Sequence, residues 1–426
     1  MSSSCAEERR ACDAPASGSA VLPTEAPTAV LREIVHRHGT PTYAYDIARI
    51  RAQADKLRTL LPREVEILYS LKANPSLGLC GVVAECGLGA DVASAGEIAT
   101  ARAAGYPPAR IFLTGPDRSP AVLAELPALP DAVISVDSLS ELRQLAARAP
   151  KRRVIVRLRP DFCSFATCSA GPDSRFGVTM DELPLCRPWL AAPGVEVIGF
   201  HVFSGSQILA VEGLVHHLRE GVHLALRAAA VLGISPQFID LGGGFGVPYG
   251  PRDQELDLAQ IGREMAVLVD QAAPARLVLE LGRYLVAQAG WYLTTVLAEQ
   301  THRGRKAVVV DGGTHQRSDV CGVGLRTNGY APAVLDPRSI ERAPTDVLGC
   351  LSLPADVLLE AAPLPPLEPG DVLAFPNAGA YGLGAAPWSF HVHPAPAEVA
   401  FDGDTLQLLR CRRSPASVLD DQRRLK

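Results

Sequence analysis

From about residue 65 onward, short apolar runs alternate with longer segments whose apolar residues recur every three to four positions. The runs are EILYSLKAN (66–74), GADVAS (89–94), RIFLTGP (110–116), AVISVDS (132–138), RVIVRLRP (153–160), EVIGFHVF (196–203), FIDLGGG (238–244) and LVLELGR (277–283). Their brevity and near-continuous apolar character suit strands buried on both faces. Between them, EIATARAAGY, LSELRQLAARA and VEGLVHHLREGVHLALRAAAVLG carry the helical period. Eight strand-then-helix units predict an α/β chain built on a parallel, TIM-like (β/α)8 barrel.

After Gly290 the texture changes. WYLTTVLAEQ, KAVVVDGG, DVLAF and AEVAFDGDTLQLLRC are separated by stretches rich in Pro and Gly with little helical period. Residues 291–426 therefore read as a second, β-rich barrel or sandwich domain. Residues 26–290 form the barrel, with 26–50 left open to pack on either part. Residues 1–25 mix Ser, Ala, Pro and charge without period and are expected to be a loose leader.

Composition narrows the function classes. Of the 426 residues, 47% are hydrophobic and 20% charged, enough apolar material for two cores. The net charge of −5 comes from interspersed acids and bases, so the broad basic stripe of a nucleic-acid binder is missing. No apolar run approaches the roughly 18 residues of a membrane span, and the first twenty residues lack an apolar signal core. A cytoplasmic location, without nucleic-acid or membrane partners, is expected. The ten cysteines form no CxxC pair, which predicts neither a disulfide framework nor a metal site.

Three strand ends carry candidate chemistry. Lys72 lies near the end of the first run, at the barrel mouth where such folds gather catalytic groups. Its apolar approach is expected to disfavour the ammonium form and free the amine to condense with an aldehyde. Gly242, Gly243 and Gly244 after the seventh run let backbone N–H groups approach an anion. Glu280, Gly282 and Arg283 close the eighth run with a carboxylate and a guanidinium. Each feature alone has a plain alternative: a surface lysine, a flexible turn, a structural ion pair.

Taken in order, YSLKANP, HVFSGSQ, DLGGGFG, ELGR and NAGAYG (377–382) resemble the fold-type III decarboxylases that use pyridoxal 5'-phosphate, the group of diaminopimelate and ornithine decarboxylases. The resemblance spans roughly residues 40–405. It implies that Lys72 holds the cofactor as a Schiff base. Gly242 to Gly244 and Ser206 would bind its phosphate, Glu280 would meet the pyridine nitrogen, and Tyr381 would reach the phosphate from the β-domain of a homodimer whose active site is shared between subunits. Asp91 and Ser94, with Gly115 and Pro116, match further strand ends of the family. Phe203 falls where relatives place a ring-stacking histidine. His201, two residues earlier, is either a cofactor contact or a satisfied core histidine.

The same resemblance exposes departures. The family's GPLC segment, followed by an acid, corresponds to Gly349-Cys350-Leu351-Ser352-Leu353-Pro354-Ala355-Asp356. Ser352 replaces the cysteine that would reprotonate Cα, and Cys350 is the alternative donor. Leu353 replaces the acid that would grip a distal ammonium, which disfavours diamine-like substrates. Several motifs are closer to a subfamily acting on carrier-protein-bound amino acids in antibiotic pathways, typified by glutamyl- and 3-methylaspartyl-carrier-protein decarboxylases. That reading implies an acyl carrier protein as partner, with Arg326, Leu353 and Asp356 on the substrate side. Decarboxylation of a free acidic or neutral amino acid, racemisation or epimerisation, and a non-catalytic regulatory homologue stay open as alternatives.

Overall fold

A computed structural model describes residues 26–148, 150–162, 171–190, 192–317 and 329–425. The expected leader, 1–25, and Arg326 lie outside the described residues. A helix, Thr28–His38, leads into strand β1 (Thr42–Asp46). The next eight strands are β2 (Glu66–Ser70), β3 (Gly89–Val92), β4 (Ile111–Leu113), β5 (Val133–Val136), β6 (Arg152–Leu158), β7 (Val195–Val202), β8 (Phe238–Asp240) and β9 (Arg276–Leu281). They pair in parallel in sequence order, and β2 pairs with β9 to close the barrel. Each falls within, or within two residues of, one of the eight apolar runs. Helices on the outside, the longest being Val211–Leu232, cover the outward-facing side chains.

The second unit is a nine-stranded sheet. Its strands are β1, β10 (Gly290–His302), β11 (Arg305–Val310), β12 (Ala333–Val334), β13 (Ala343–Leu348), β14 (Val357–Leu364), β15 (Val372–Phe375), β16 (Ala397–Asp402) and β17 (Thr405–Arg410). β1 lies between β10, to which it is antiparallel, and β16, to which it is parallel. The sequence pattern did not single out β1, β12, β13 or β14. Pro344 and Pro363 interrupt β13 and β14, and proline depresses any strand signal because it cannot donate to a ladder. Among the described residues no helix is long and apolar enough to cross a membrane.

Strand alternation sorts the barrel interior into two layers. Leu68, Phe112, Val133, Ile155, Ile198 and Val278, with Phe238, form an apolar cluster separate from the main core. Two residues further along, nearer the C-terminal mouth, the same faces carry Ser70, Thr114, Ser135, Arg157, Asp240 and Glu280, and Asp91 takes the equivalent place on β3. On β7 the step from Ile198 is three, to His201, because the β6–β7 register shifts there, with Val154 opposite Val197 but Ile155 opposite Gly199. Such a bulge re-aims the residues that follow it, and here it turns the imidazole inward. All eight strands thus contribute one polar side chain to the mouth.

Candidate active site

The polar layer forms the floor of a cavity of about 320 Å³ lined by Lys72, Thr114, Arg157, His201, Glu280 and Tyr381 among others. Lys72 lies in the short helical turn after β2. Its Nζ donates to Asp91 Oδ2 at 3.0 Å, and Asp91 Oδ1 accepts from the Thr114 hydroxyl. The lysine side chain is 48% accessible only because it projects into the lumen; its surroundings are enclosed. Burial opposes its charge, but the carboxylates of Asp91 and then Glu280 outweigh burial, and its pKa is raised above the ordinary lysine value. This corrects the expectation that an apolar approach frees the amine: in the cofactor-free protein the Asp91 carboxylate, hydrogen-bonded to Nζ, holds Lys72 as an ammonium.

Opposite stands a buried acid cluster. Ligating atoms of His201, Asp240 and Glu280 all lie within 4.8 Å of one another. His201 Nδ1 pairs with the Ser135 hydroxyl at 3.0 Å. Its Nε2 and Glu280 Oε1, 3.9 Å apart, have no hydrogen-bond partner among the described residues. Burial, then the positive charges of Arg157 and Lys72, hold His201 well below its usual pKa, so the ring is neutral. Burial first, and Asp240 and Asp91 next, push the Glu280 carboxyl well above the carboxylate range. Asp240 is raised too, again chiefly by burial, although its Oδ1 accepts from the Gly242 N–H at 2.9 Å. His201 is therefore not a satisfied core histidine. His217 is one: its Nε2 faces the Leu241 carbonyl at 3.0 Å, which requires an N–H there, so Nδ1 accepts from the Ser204 hydroxyl at 2.6 Å.

The glycine run forms the adjoining wall. Gly242 and Gly244 have φ of 62° and 101°, conformations side chains seldom adopt. A Cβ on Gly242 would stand 2.7 Å from Phe203 Cδ2, and one on Gly243 would overlap the Glu280 carbonyl. The ring of Phe203 and the hydroxyl-bearing Ser206 border the cavity beside Gly243 and Gly244. Gly282 also admits no Cβ, which would collide with Ala73 at 2.7 Å. Arg283 donates to the Tyr249 hydroxyl at 2.9 Å and lies 4.6 Å over the ring of Tyr381. Tyr381 reaches this site within its own chain. Its N–H bonds Ala73 O at 2.6 Å, and Asn74 Nδ2 donates to Gly379 O at 2.9 Å. The 377–382 loop of the β-domain is thereby clamped beside Lys72.

Other expected residues are placed elsewhere. Ser94 does not line the cavity: its hydroxyl caps the helix Ala95–Ala103 by accepting from the Glu97 N–H at 3.2 Å. Cys350, Ser352, Leu353 and Asp356 sit on the loop between β13 and β14, outside the lining of this chain's cavity. Ser352 is exposed and Leu353 is 43% exposed. Cys350 Sγ points at His393 Nε2, 3.9 Å away, and burial raises its thiol to about 11. Asp356, expected on the substrate side, is instead a buried loop anchor. Its Oδ1 accepts from Thr314 N and Oγ1 at 2.7 and 2.8 Å, and its Oδ2 from Leu351 N at 2.8 Å.

Thr114, Ser135, Arg157 and Asp240 are site residues the sequence reading passed over. Arg157 carried the clearest signal: a lone guanidinium inside the apolar run VIVRL has to meet an acid when buried. It donates to Asp137 Oδ1 at 3.2 Å and lies 4.8 Å over Phe176.

The cavity fits pyridoxal phosphate on its own chemistry. A lysine amine, a glycine-walled recess for an anion and a buried carboxyl with one oxygen unpartnered among the described residues face one lumen. Comparisons agree. Residues 47–287 match the family model for the pyridoxal-binding domain of pyridoxal-dependent decarboxylases. The chain is 34% identical to the L-glutamyl-[BtrI acyl-carrier protein] decarboxylase of Niallia circulans, over 92% of this chain and 96% of that one. It is also 34% identical to the diaminopimelate decarboxylase of Actinosynnema pretiosum subsp. auranticum, over 82% and 81%. The crystal structure of Helicobacter pylori diaminopimelate decarboxylase complexed with L-lysine superposes with a TM-score of 0.84 at 28% identity, covering 92% of this chain and 98% of that one. With both sequence and fold matched along most of the chain, this protein belongs to the pyridoxal-dependent decarboxylases, enzymes of the carboxy-lyase class.

Proposed function

We propose that the enzyme removes the α-carboxylate from an acidic aminoacyl group, such as a glutamyl or 3-methylaspartyl residue, tethered as a thioester to an acyl carrier protein. The observation carrying this reading is Leu353, an exposed apolar side chain where the family resemblance calls for an ammonium-gripping acid. A thioester-bound acidic residue presents no distal ammonium, so nothing is left unpaired by leucine. Similarity to the carrier-protein decarboxylase along 92% of the chain supports it.

When bound, pyridoxal phosphate supplies the electron sink that lets the bond between Cα and the carboxylate break. The chain's residues do the rest. Asp91 Oδ2, 3.0 Å from Lys72 Nζ, is placed to take the proton the ammonium must lose before its amine reacts. Glu280 would supply a countercharge for the ring nitrogen, and Gly243, Gly244 and Ser206 would hold the phosphate. Phe203 would border the ring without adding charge. Arg283 and Arg157 offer guanidinium groups to anionic parts of the substrate. Ser352 would be delivered to the cavity by the β-domain of a second copy in a homodimer, where its hydroxyl relays the final proton to Cα.

The test is to incubate the cofactor-loaded enzyme with candidate aminoacyl carrier proteins and follow the intact carrier for loss of the mass of CO2. Absence of loss from every acidic aminoacyl carrier would overturn the carrier reading. A second reading, decarboxylation of a free amino acid, is favoured by the equal identity to a diaminopimelate decarboxylase. It predicts turnover of the free amino acid at a rate no carrier improves.

A further inference from the structure

Three segments of the β-domain meet outside the Lys72 cavity. The turn after β11 brings His315, the β13–β14 loop brings Cys350, and the stretch before β16 brings His393. One ligating atom from each lies within 4.8 Å of the other two. Cys350 Sγ is 3.9 Å from His393 Nε2, and the two imidazole centroids are 5.0 Å apart. His315 is 1% exposed, and neither of its ring nitrogens has a hydrogen-bond partner among the described residues. An imidazole buried with both ring nitrogens unmet is costly unless something else occupies one of them.

The donor set says what that something is. Two imidazoles and a thiol are poor ligands for calcium or magnesium, which take oxygen. They suit zinc and its neighbours. Tetrahedral zinc with ordinary bond lengths sets a sulfur-to-nitrogen edge of about 3.5 Å, a few tenths shorter than the separation found here. We propose that His315, Cys350 and His393 bind a thiophilic divalent metal of the zinc class, leaving a fourth position for water, and that the metal staples the loop bearing Ser352 and Leu353. This goes beyond the proposed reaction and does not depend on it.

The frame is already built. Cys350 N donates to Gly312 O at 2.9 Å, and Gln316 Nε2 reaches Pro394 O at 3.4 Å. Asp356 holds Thr314 and Leu351, the chain neighbours of His315 and Cys350. Cys350 and His393 are only partly buried, and His393 borders a surface cavity of about 370 Å³, so an ion has an entry path. On binding, the metal–sulfur bond forms as the Cys350 thiol proton passes to buffer. No oxidant or reductant is required.

The test uses the full-length, cofactor-loaded enzyme stripped with a chelator and dialysed against zinc. Metal content is measured by mass spectrometry and affinity by calorimetry. One zinc per chain is expected beyond that retained by a Cys350→Ala/His393→Ala double variant, and each single variant should weaken binding by about 100-fold or more. Substituting cobalt and subtracting the zinc spectrum cancels the cofactor's absorbance; a thiolate-to-cobalt charge-transfer band is expected in the native enzyme and in Lys72→Ala. This wild-type measurement needs no variant to fold. A native enzyme that holds no more metal than the double variant, or whose cobalt form lacks the thiolate band, overturns the proposal.

Discussion

His201 Nε2 and Glu280 Oε1 face each other across 3.9 Å, both buried and both without a hydrogen-bond partner among the described residues. Because the imidazole is held neutral, it cannot neutralise the acid, and a positively charged ring nitrogen is what the pair lacks. Glu280→Gln is expected to weaken cofactor binding and lower kcat by on the order of 10²-fold.

The same acid sets a pH dependence. Glu280 and Asp240 have folded pKa values raised by burial. Their contribution to stability is therefore fully present below the unfolded value, about 4.3 for glutamate, and is lost as pH rises through the folded values. The cofactor-free protein should show a Tm that falls with pH above that point, and the loaded enzyme should fall less. Glu280→Gln should flatten the cofactor-free curve. Parallel curves for all three would contradict this account.

Lys72→Ala should abolish the visible absorbance of the lysine-bound cofactor and cut kcat/KM by on the order of 10³-fold or more. Asp91→Asn tests the ion pair separately. With that carboxylate removed, the Lys72 ammonium is less stabilised, so the pH profile of cofactor loading should move to lower pH. An alkaline shift would show that Asp91 does not hold the proton.

Gly243→Ala places a methyl group against the Glu280 carbonyl. An overpacking cost of about 1–3 kcal/mol is expected, together with at least about tenfold weaker cofactor binding as the wall shifts. Gly81, inside the helix Leu77–Glu85, is the contrast, since a Cβ there meets nothing within 4 Å. Gly81→Ala should stabilise by up to about 1 kcal/mol. Urea unfolding of the two variants provides the comparison.

Asp356→Asn keeps the side-chain shape but turns an NH2 group toward either Thr314 or Leu351. A loss of about 2 kcal/mol in unfolding free energy is expected. The cofactor's absorbance should persist, because this anchor lies outside the Lys72 cavity. Loss of absorbance with unchanged stability would instead tie Asp356 to the cofactor.

Ser352→Cys supplies a far better proton donor than a hydroxyl. It is expected to raise turnover where reprotonation limits, whereas Ser352→Ala should lower it by about 10-fold or more. The solvent isotope effect on product formation should shrink in the cysteine variant. Identical rates for serine, alanine and cysteine would remove Ser352 from the reaction.

The barrel was legible because strands buried on both faces cannot alternate and so read as unbroken apolar runs. Lys72, Glu280 and the glycine run were legible because each ends such a run. Thr114, Ser135, Arg157 and Asp240 were harder: one polar residue in an apolar strand means little until neighbouring strands are set in register. His201 needed more still, since its inward aim depends on a bulge that no local pattern announces. The raised pKa of Lys72 was misjudged for the same reason, its apolar approach being local while Asp91 and Glu280 arrive from other strands. His315, Cys350 and His393 lie far apart in sequence, so no ligand spacing betrays them.

β1 and β10 are antiparallel neighbours, with Tyr45 opposite Gly290, and everything between them is the barrel. In topological terms the whole (β/α)8 unit is the loop of one hairpin, inserted into a sheet that begins before it and finishes after it. Neither a fragment ending at Gly290 nor one starting there holds a complete sheet. During synthesis the barrel can close as soon as its eighth strand emerges, while β1 must wait for β10 and β16. Because both ends of the insertion are anchored in adjacent strands, the catalytic mouth and the loop carrying Tyr381 are tied at two points rather than hinged at one.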